Sequence, residues 1–260
     1  MSFLSLLVAI FPVILIGIYI YKKDKQKESS RLLFKLFIGG VGSCFPAVII
    51  GLLFDGFFPN TDQMNFIQLF MYVFIVIALV EEICKWFFLY IISYNHSEFD
   101  SLYDMIVYAS FVALGFACFE NILYVSSSGI VTGLFRAVSA VPGHVCDGIL
   151  MGSYLSLAKV NELKGDIKLS KKYKILSIVI PMITHGIYDY CLFLENSLFV
   201  ILFLVFVINL FIICINKVKD ISQNNYKFVK KNNYCIYCGC SINGSRFCSN
   251  CGNENNKNKI

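Results

Sequence analysis

A set of ionisable residues of this chain sits where ionisable residues are costly. Glu81, Glu82, Lys85, Glu120, His144, His185 and Asp189 all fall inside runs of apolar residues. Two imidazoles, several carboxylates and one ammonium, with water admitted, are enough to activate that water. One route is metal-based. His144, His185 and Glu82 would leave an open zinc position, and the bound water would have a pKa near ~7. The other is metal-free, with a Glu as general base and the His groups stabilising an oxyanion. Both routes hydrolyse an amide, and spacing alone does not choose between them.

Helical spacing favours local pairing. Lys85 stands four residues after Glu81 and three after Glu82, so its ammonium can neutralise either acid. Adjacent residues on a helix point about 100° apart, so the two acids need two polar environments. His185 and Asp189 are four apart and share a face, as do Glu120 and Tyr124. His144 and Asp147 are three apart. An Asp one turn from a His can take its second ring N–H and fix the tautomer. Taken singly, Asn121, Tyr124, Asp147 and Glu120 read more as interhelical hydrogen-bonding groups than as catalysts. Lys85 reads as a counter-ion and Arg136 as a snorkelling anchor.

The elements that must position these groups are set by composition. Of 260 residues, 57% are hydrophobic and 15% charged, against about 25% charged in soluble domains. This is a polytopic, all-α membrane protein. Seven apolar stretches are long enough to cross a bilayer, which takes about 20 helical residues. They are expected near 3–21, 32–54, 66–92, 102–125, 130–158, 175–194 and 198–215. Pro142 and Gly143 interrupt the fifth, which reads as a kinked span or two half-helices. The first has no basic residue before its apolar run and no cleavage pattern after it, so it reads as a retained helix.

A charge at mid-bilayer costs about 2.5–3.5 kcal/mol on insertion scales, and such groups face the bundle interior and pair with one another. Pro142 precedes His144 by two residues, and Pro181 precedes His185 by four. Each opens the hydrogen-bond ladder beside an imidazole, which is tolerated only where the backbone is buried in protein or lines a wet cavity. Gly143, Gly148, Gly152 and Gly186 are expected to let neighbouring helices approach closely. Basic residues cluster in alternate loops, at 22–35, 159–174 and 217–231. The positive-inside rule then puts the N-terminus outside and the C-terminus in the cytoplasm.

Domain boundaries follow the same shift in composition. Residues 1–215 form the membrane domain and the Lys- and Asn-rich 216–233 a cytoplasmic linker. At 234–253, Cys235 and Cys238 form one C-x-x-C pair and Cys248 and Cys251 another. Four thiolates at this spacing suit a closed, structural zinc site, a small zinc ribbon. In a reducing compartment two disulfides are disfavoured. Cys240 is a spectator, and the six remaining cysteines lie in helices as small apolar residues.

The ordered motifs "EEICK", "FENILY" (119–124), "HVCDG" (144–148) and "HGIYD" (185–189), each on its own helix, resemble the PrsW family of intramembrane proteases, which are grouped with the prenyl-protein (CAAX) endopeptidases. The resemblance covers roughly residues 65–195. It implies a peptidase cutting membrane-associated substrates, anti-sigma factors being the family's namesake class. It implies Glu81 and Glu82 as the essential acid pair, and His144 and His185 as the water-activating or metal-binding imidazoles. Glu120 and Asp189 complete the polar shell, whereas Asp147 lies beside the family's pattern and not on it. The expected partners are a membrane-protein substrate, the lipid bilayer and a cytoplasmic protein at the ribbon. Nucleic acid is not expected. A proton-coupled transporter or channel built on the same buried network is the alternative, although no inverted repeat is visible. A scaffold that keeps the fold and has lost the activity is a further one.

Overall fold

The computed structural model describes residues 3–194, 196–223, 247, 248, 250 and 252. Eight α-helices run along the described part: α1 (Phe3–Lys23), α2 (Ser30–Asp55), α3 (Phe66–Met71), α4 (Leu79–Ser93), α5 (Leu102–Val138), α6 (Ala140–Lys164), α7 (Ile167–Phe193) and α8 (Ser197–Gln223). Between α3 and α4 the chain continues as a π-helical segment, Tyr72–Ala78, so that α3, this segment and α4 make one continuous rod. Six helical stretches are long and apolar enough to cross a membrane. The longest, Leu102–Lys164, contains both α5 and α6. The chain is an all-α polytopic membrane protein.

The helices begin where the sequence supplies caps. Ser29 accepts a hydrogen bond from the Leu32 amide at the start of α2. Asn65 and Gln68 close a capping box at the start of α3, satisfying amides that have no partner within the helix. α6 ends on Gly165, whose φ of 86° is left-handed, a conformation glycine adopts without steric cost.

The two expected spans at 102–125 and 130–158 are placed differently in the structure. α5 runs past Val125 and breaks at Gly129, at φ 86° and ψ −178°. Residues 130–138 then fold back along it, so that a Cβ on Gly133 would lie 2.5 Å from the Val125 side chain. A second break at Ser139 starts α6. The fifth span is therefore interrupted at Ser139, not at Pro142. Pro142 lies in the first turn of α6, where its missing N–H costs nothing.

α5 and α6 form the centre of the bundle. Tyr103–Ala109 of α5 and Val145–Ser153 of α6 are buried throughout. The two helices are antiparallel and in near-backbone contact: a Cβ on Gly152 would sit 2.4 Å from the Met105 carbonyl oxygen, and one on Gly148 2.9 Å from that of Ala109. On the other side of α5, a Cβ on Gly40 of α2 would meet the Val112 carbonyl oxygen at 2.0 Å. Small residues at such crossings let backbones approach where lipid gives no hydrophobic drive for association. Gly186 is tight against the Phe74 ring, but Gly143 is not a crossing point, since a Cβ there meets Tyr188 only at 3.7 Å. α1 and α2 pack along α5, α4 packs chiefly against α2, and α7 and α8 pack against α6. The outward faces of α1, α2 and α8 carry exposed Leu, Ile and Phe, as a lipid-facing surface requires.

Candidate active site

The sequence places Glu81 and Glu82 on α4 immediately after the π-helical segment. A π turn is rare and is frequently found at functional sites. Here it sets the rotation at which α4 starts. Glu82 then points fully into the bundle, with 0% exposure, whereas Glu81 is partly open and lines a cavity of about 90 Å³. The expectation of two different environments for adjacent acids is met by this rotation.

Glu82 is held by one ammonium and one imidazole. Lys85 donates to its Oε1 at 2.6 Å, and His185 Nδ1 lies 2.8 Å from the same oxygen. Lys85 reaches Glu81 Oε2 at 3.6 Å and stands 4.2 Å from the centre of the Phe116 ring. It also donates to His144 Nδ1 at 3.3 Å. Because an ammonium is only a donor, this contact makes Nδ1 of His144 the acceptor. The Nε2–H then donates to Glu120 Oε2 at 2.8 Å. His185 turns its Nε2 to Asp189 Oδ2 at 3.3 Å and to Glu81 Oε2 at 3.8 Å. The two imidazoles meet edge to face with ring centres 5.3 Å apart.

Asp147 does not pair with His144, the arrangement expected from their spacing. Its Oδ1 accepts from the Thr184 hydroxyl at 2.5 Å. Glu120 takes the place on His144 that Asp147 was expected to hold. Arg136 is no snorkelling anchor. The break at Gly129 folds it back along α5, where it donates to Glu120 Oε2 at 2.7 Å and to Asn121 Oδ1 at 3.2 Å, with its guanidinium 3.9 Å from the centre of the Tyr124 ring. Asn121 in turn donates to the Ala9 carbonyl at 3.0 Å, tying α1 to this network. Arg136 and Thr184 are the polar groups that local spacing did not assign to the site. The signal for Arg136 was a lone guanidinium in an apolar stretch beside a glycine, since such a group must find a partner.

Two carboxylate oxygens of the site, Glu81 Oε2 and Glu82 Oε2, are buried without a hydrogen-bond partner among the described residues. Donor atoms of Glu82, His144, Asp147 and His185 lie within 4.8 Å of one another. This N₂O₂ set has the chemistry of a transition-metal site, and one Glu82 oxygen in it makes no hydrogen bond. The residues fit a metal. The Lys85 ammonium, bonded to two of the four, would have to yield its place to one. Cys235, Cys238 and Cys251 of the expected zinc ribbon lie outside the described residues.

Residues 28–214 match the model of the PrsW family intramembrane metalloprotease. Protease PrsW of Oceanobacillus iheyensis is 37% identical over 222 residues, 85% of this chain and 98% of that protein. Protease PrsW of Halalkalibacterium halodurans is 33% identical over 224 residues, again 85% and 98%. Protease PrsW of Bacillus subtilis is 35% identical over 184 residues, 70% of this chain and 80% of its own length. No solved structure matches the fold. With the match spanning nearly all of the helical bundle and every one of the four site-bearing helices, the chain belongs to the PrsW family of membrane proteases.

Proposed function

We propose that the chain is a membrane-embedded endopeptidase that hydrolyses a peptide bond of a membrane-associated protein with water activated in the α4–α5–α6–α7 site. One observation carries this reading: Glu81, whose Oε2 makes no hydrogen bond, lines a cavity together with His144, His185 and Asp189. Family membership favours hydrolysis over proton-coupled transport.

Glu81 is the general base. Its carboxylate can accept a proton from water in the cavity, and Lys85 and His185, at 3.6 and 3.8 Å from Oε2, stabilise the charge it carries. Glu82 has a different role. Fully buried and bonded to Lys85 and His185, it orients the imidazole, and Asp189 holds the opposite ring nitrogen. Arg136 lines the same cavity beside Glu120 and His144. A positioned cation there stabilises the oxyanion that forms when water adds to the carbonyl. If a metal is bound, Glu82, His144, Asp147 and His185 hold it, and it supplies Lewis-acid activation of the water.

Single-span membrane proteins, anti-sigma factors among them, are the proposed substrates. The basic loops support the orientation with the N-terminus outside and the C-terminus in the cytoplasm; α8 continues through the first part of the expected 216–233 linker, to Gln223, and the zinc ribbon is proposed beyond it. The test is co-expression with a library of single-span membrane reporters, with new N-termini read by mass spectrometry. Glu81→Gln, Glu82→Gln, His144→Ala and His185→Ala are each expected to lower cleavage at least about 100-fold, the scale of a lost acid–base group. Cleavage that persists in all four variants ends the protease reading.

A further inference from the structure

A second recess opens beside the reactive cavity, between the C-terminal half of α2, the π-helical segment and α5. It has a volume of about 280 Å³. It shares Ile77, Glu81, Glu120 and Tyr124 with the reactive cavity, so the two spaces adjoin at the carboxylates. Away from these shared residues its walls are largely apolar, formed by Phe116, Phe119 and Leu123 of α5 and Val76 of the π-helical segment. The α2 wall is hollowed out: Cys44, Ala47 and Gly51 follow one another at helical spacing on one face. A Cβ on Gly51 would meet nothing within 4 Å, so no tight crossing accounts for a glycine there, in contrast to Gly40 on the same helix. Tyr72, which also lines the recess, donates to Asp55 Oδ1 at 2.8 Å and ties the π-helical segment to the end of α2.

We propose that this recess is the specificity pocket of the peptidase, receiving one large apolar side chain, of Leu or Phe size, next to the scissile bond. The inference rests on the protease reading. A peptide carbonyl placed beside Glu81 has a neighbouring side chain within reach of the shared wall, and beyond the carboxylates and the Tyr72 and Tyr124 hydroxyls that wall offers it mainly apolar contact. The void left by the small residues of α2 sets the size it accepts. Filling the void from Gly51 shortens the pocket without touching Glu81, Glu120 or either imidazole.

The experiment compares wild type, Gly51→Ala and Gly51→Leu on a single-span reporter library in which each position around the cleaved bond carries Ala, Val, Leu or Phe in turn. Wild type is expected to favour Leu or Phe over Ala at one position by about 10-fold or more, the discrimination an apolar pocket achieves. Gly51→Leu is expected to lower the Phe-to-Ala cleavage ratio at that same position by about 10–100-fold, and Gly51→Ala by a smaller factor in the same direction. A wild-type profile without such a position overturns the inference. So does an unchanged ratio in Gly51→Leu, the outcome if lipid and not substrate fills the recess. Should Gly51→Leu fail to elute as a folded species, an unchanged ratio in Gly51→Ala overturns it equally. These failures leave Glu81-dependent cleavage intact and are thus distinct from failure of the protease reading, in which no reporter is cut in a Glu81- and Glu82-dependent way.

Discussion

At the scale of single residues, the site is a chain of shared partners. Glu82 ties Lys85 to His185, Lys85 ties Glu82 to His144, and Glu120 ties His144 to Arg136. Removing one member of a buried ion pair leaves a charge that neither water nor protein compensates, at a cost of about 3–5 kcal/mol, whereas removing both costs far less. Arg136→Met is therefore expected to destabilise the protein by about 3 kcal/mol. Adding Glu120→Gln to it is expected to recover a good part of that loss. Thermal unfolding in detergent of the two single variants and the double variant measures the coupling. Strict additivity would show that the pair does not interact.

At the scale of elements, two features decide where the side chains go. The first is the backbone contact between α5 and α6. Gly152→Ala puts a methyl group 2.4 Å from the Met105 carbonyl oxygen, so the helices must separate and carry His144 away from Glu120. Gly17→Ala on α1 meets only the tip of Leu114, at 3.5 Å. The expected outcome is loss of folded protein or of activity in Gly152→Ala and near-normal behaviour in Gly17→Ala, read by size-exclusion profile and reporter cleavage.

The second feature is the link between α1 and α2. Burial pushes the Glu28 carboxyl up to about 8, even though the Tyr108 hydroxyl donates to it. Its pKa in the folded state is above the ordinary 4.5. The stabilisation tied to the protonated form is thus complete below about 4.5 and is lost as pH rises through about 8. Glu28→Gln, which keeps a neutral group there, is expected to flatten the fall in Tm between pH 5 and pH 9. An identical slope in wild type and variant would show that Glu28 does not control it.

At the scale of the whole molecule, the membrane domain and the proposed ribbon make separable demands on metal. A closed four-thiolate site binds zinc for folding, whereas a site of imidazoles and carboxylates with an open position binds it for chemistry. Zinc per purified chain is therefore expected to fall by one equivalent in Cys235→Ser whatever the mechanism of the bundle. A second equivalent, retained in Cys235→Ser and lost in His144→Ala, is expected if Glu82, His144, Asp147 and His185 hold a metal. Its absence from catalytically competent protein would leave Glu81 to activate water without one.

Much of this was legible in the linear chain. Apolar length and the cost of burying charge are one-dimensional properties, so the sequence by itself determined that the chain spans a membrane, roughly where most of its helices run, and which acids and imidazoles must come together inside the bundle. The four motifs were enough for the family. Within one helix, spacing also correctly joined Lys85 to Glu82 and His185 to Asp189. Between helices spacing has no authority, because pairing there depends on the rotation of each helix and the distance at which it packs. That is why His144 binds Glu120 and not Asp147 three residues away, and why the break at Gly129 turns Arg136 inward. It is also why a π-helical segment, and not the order of the residues, gives Glu81 to the cavity and Glu82 to the core. The recess that Gly51 opens beside them exists only where three separate helical segments meet, and only the tertiary structure could place it there.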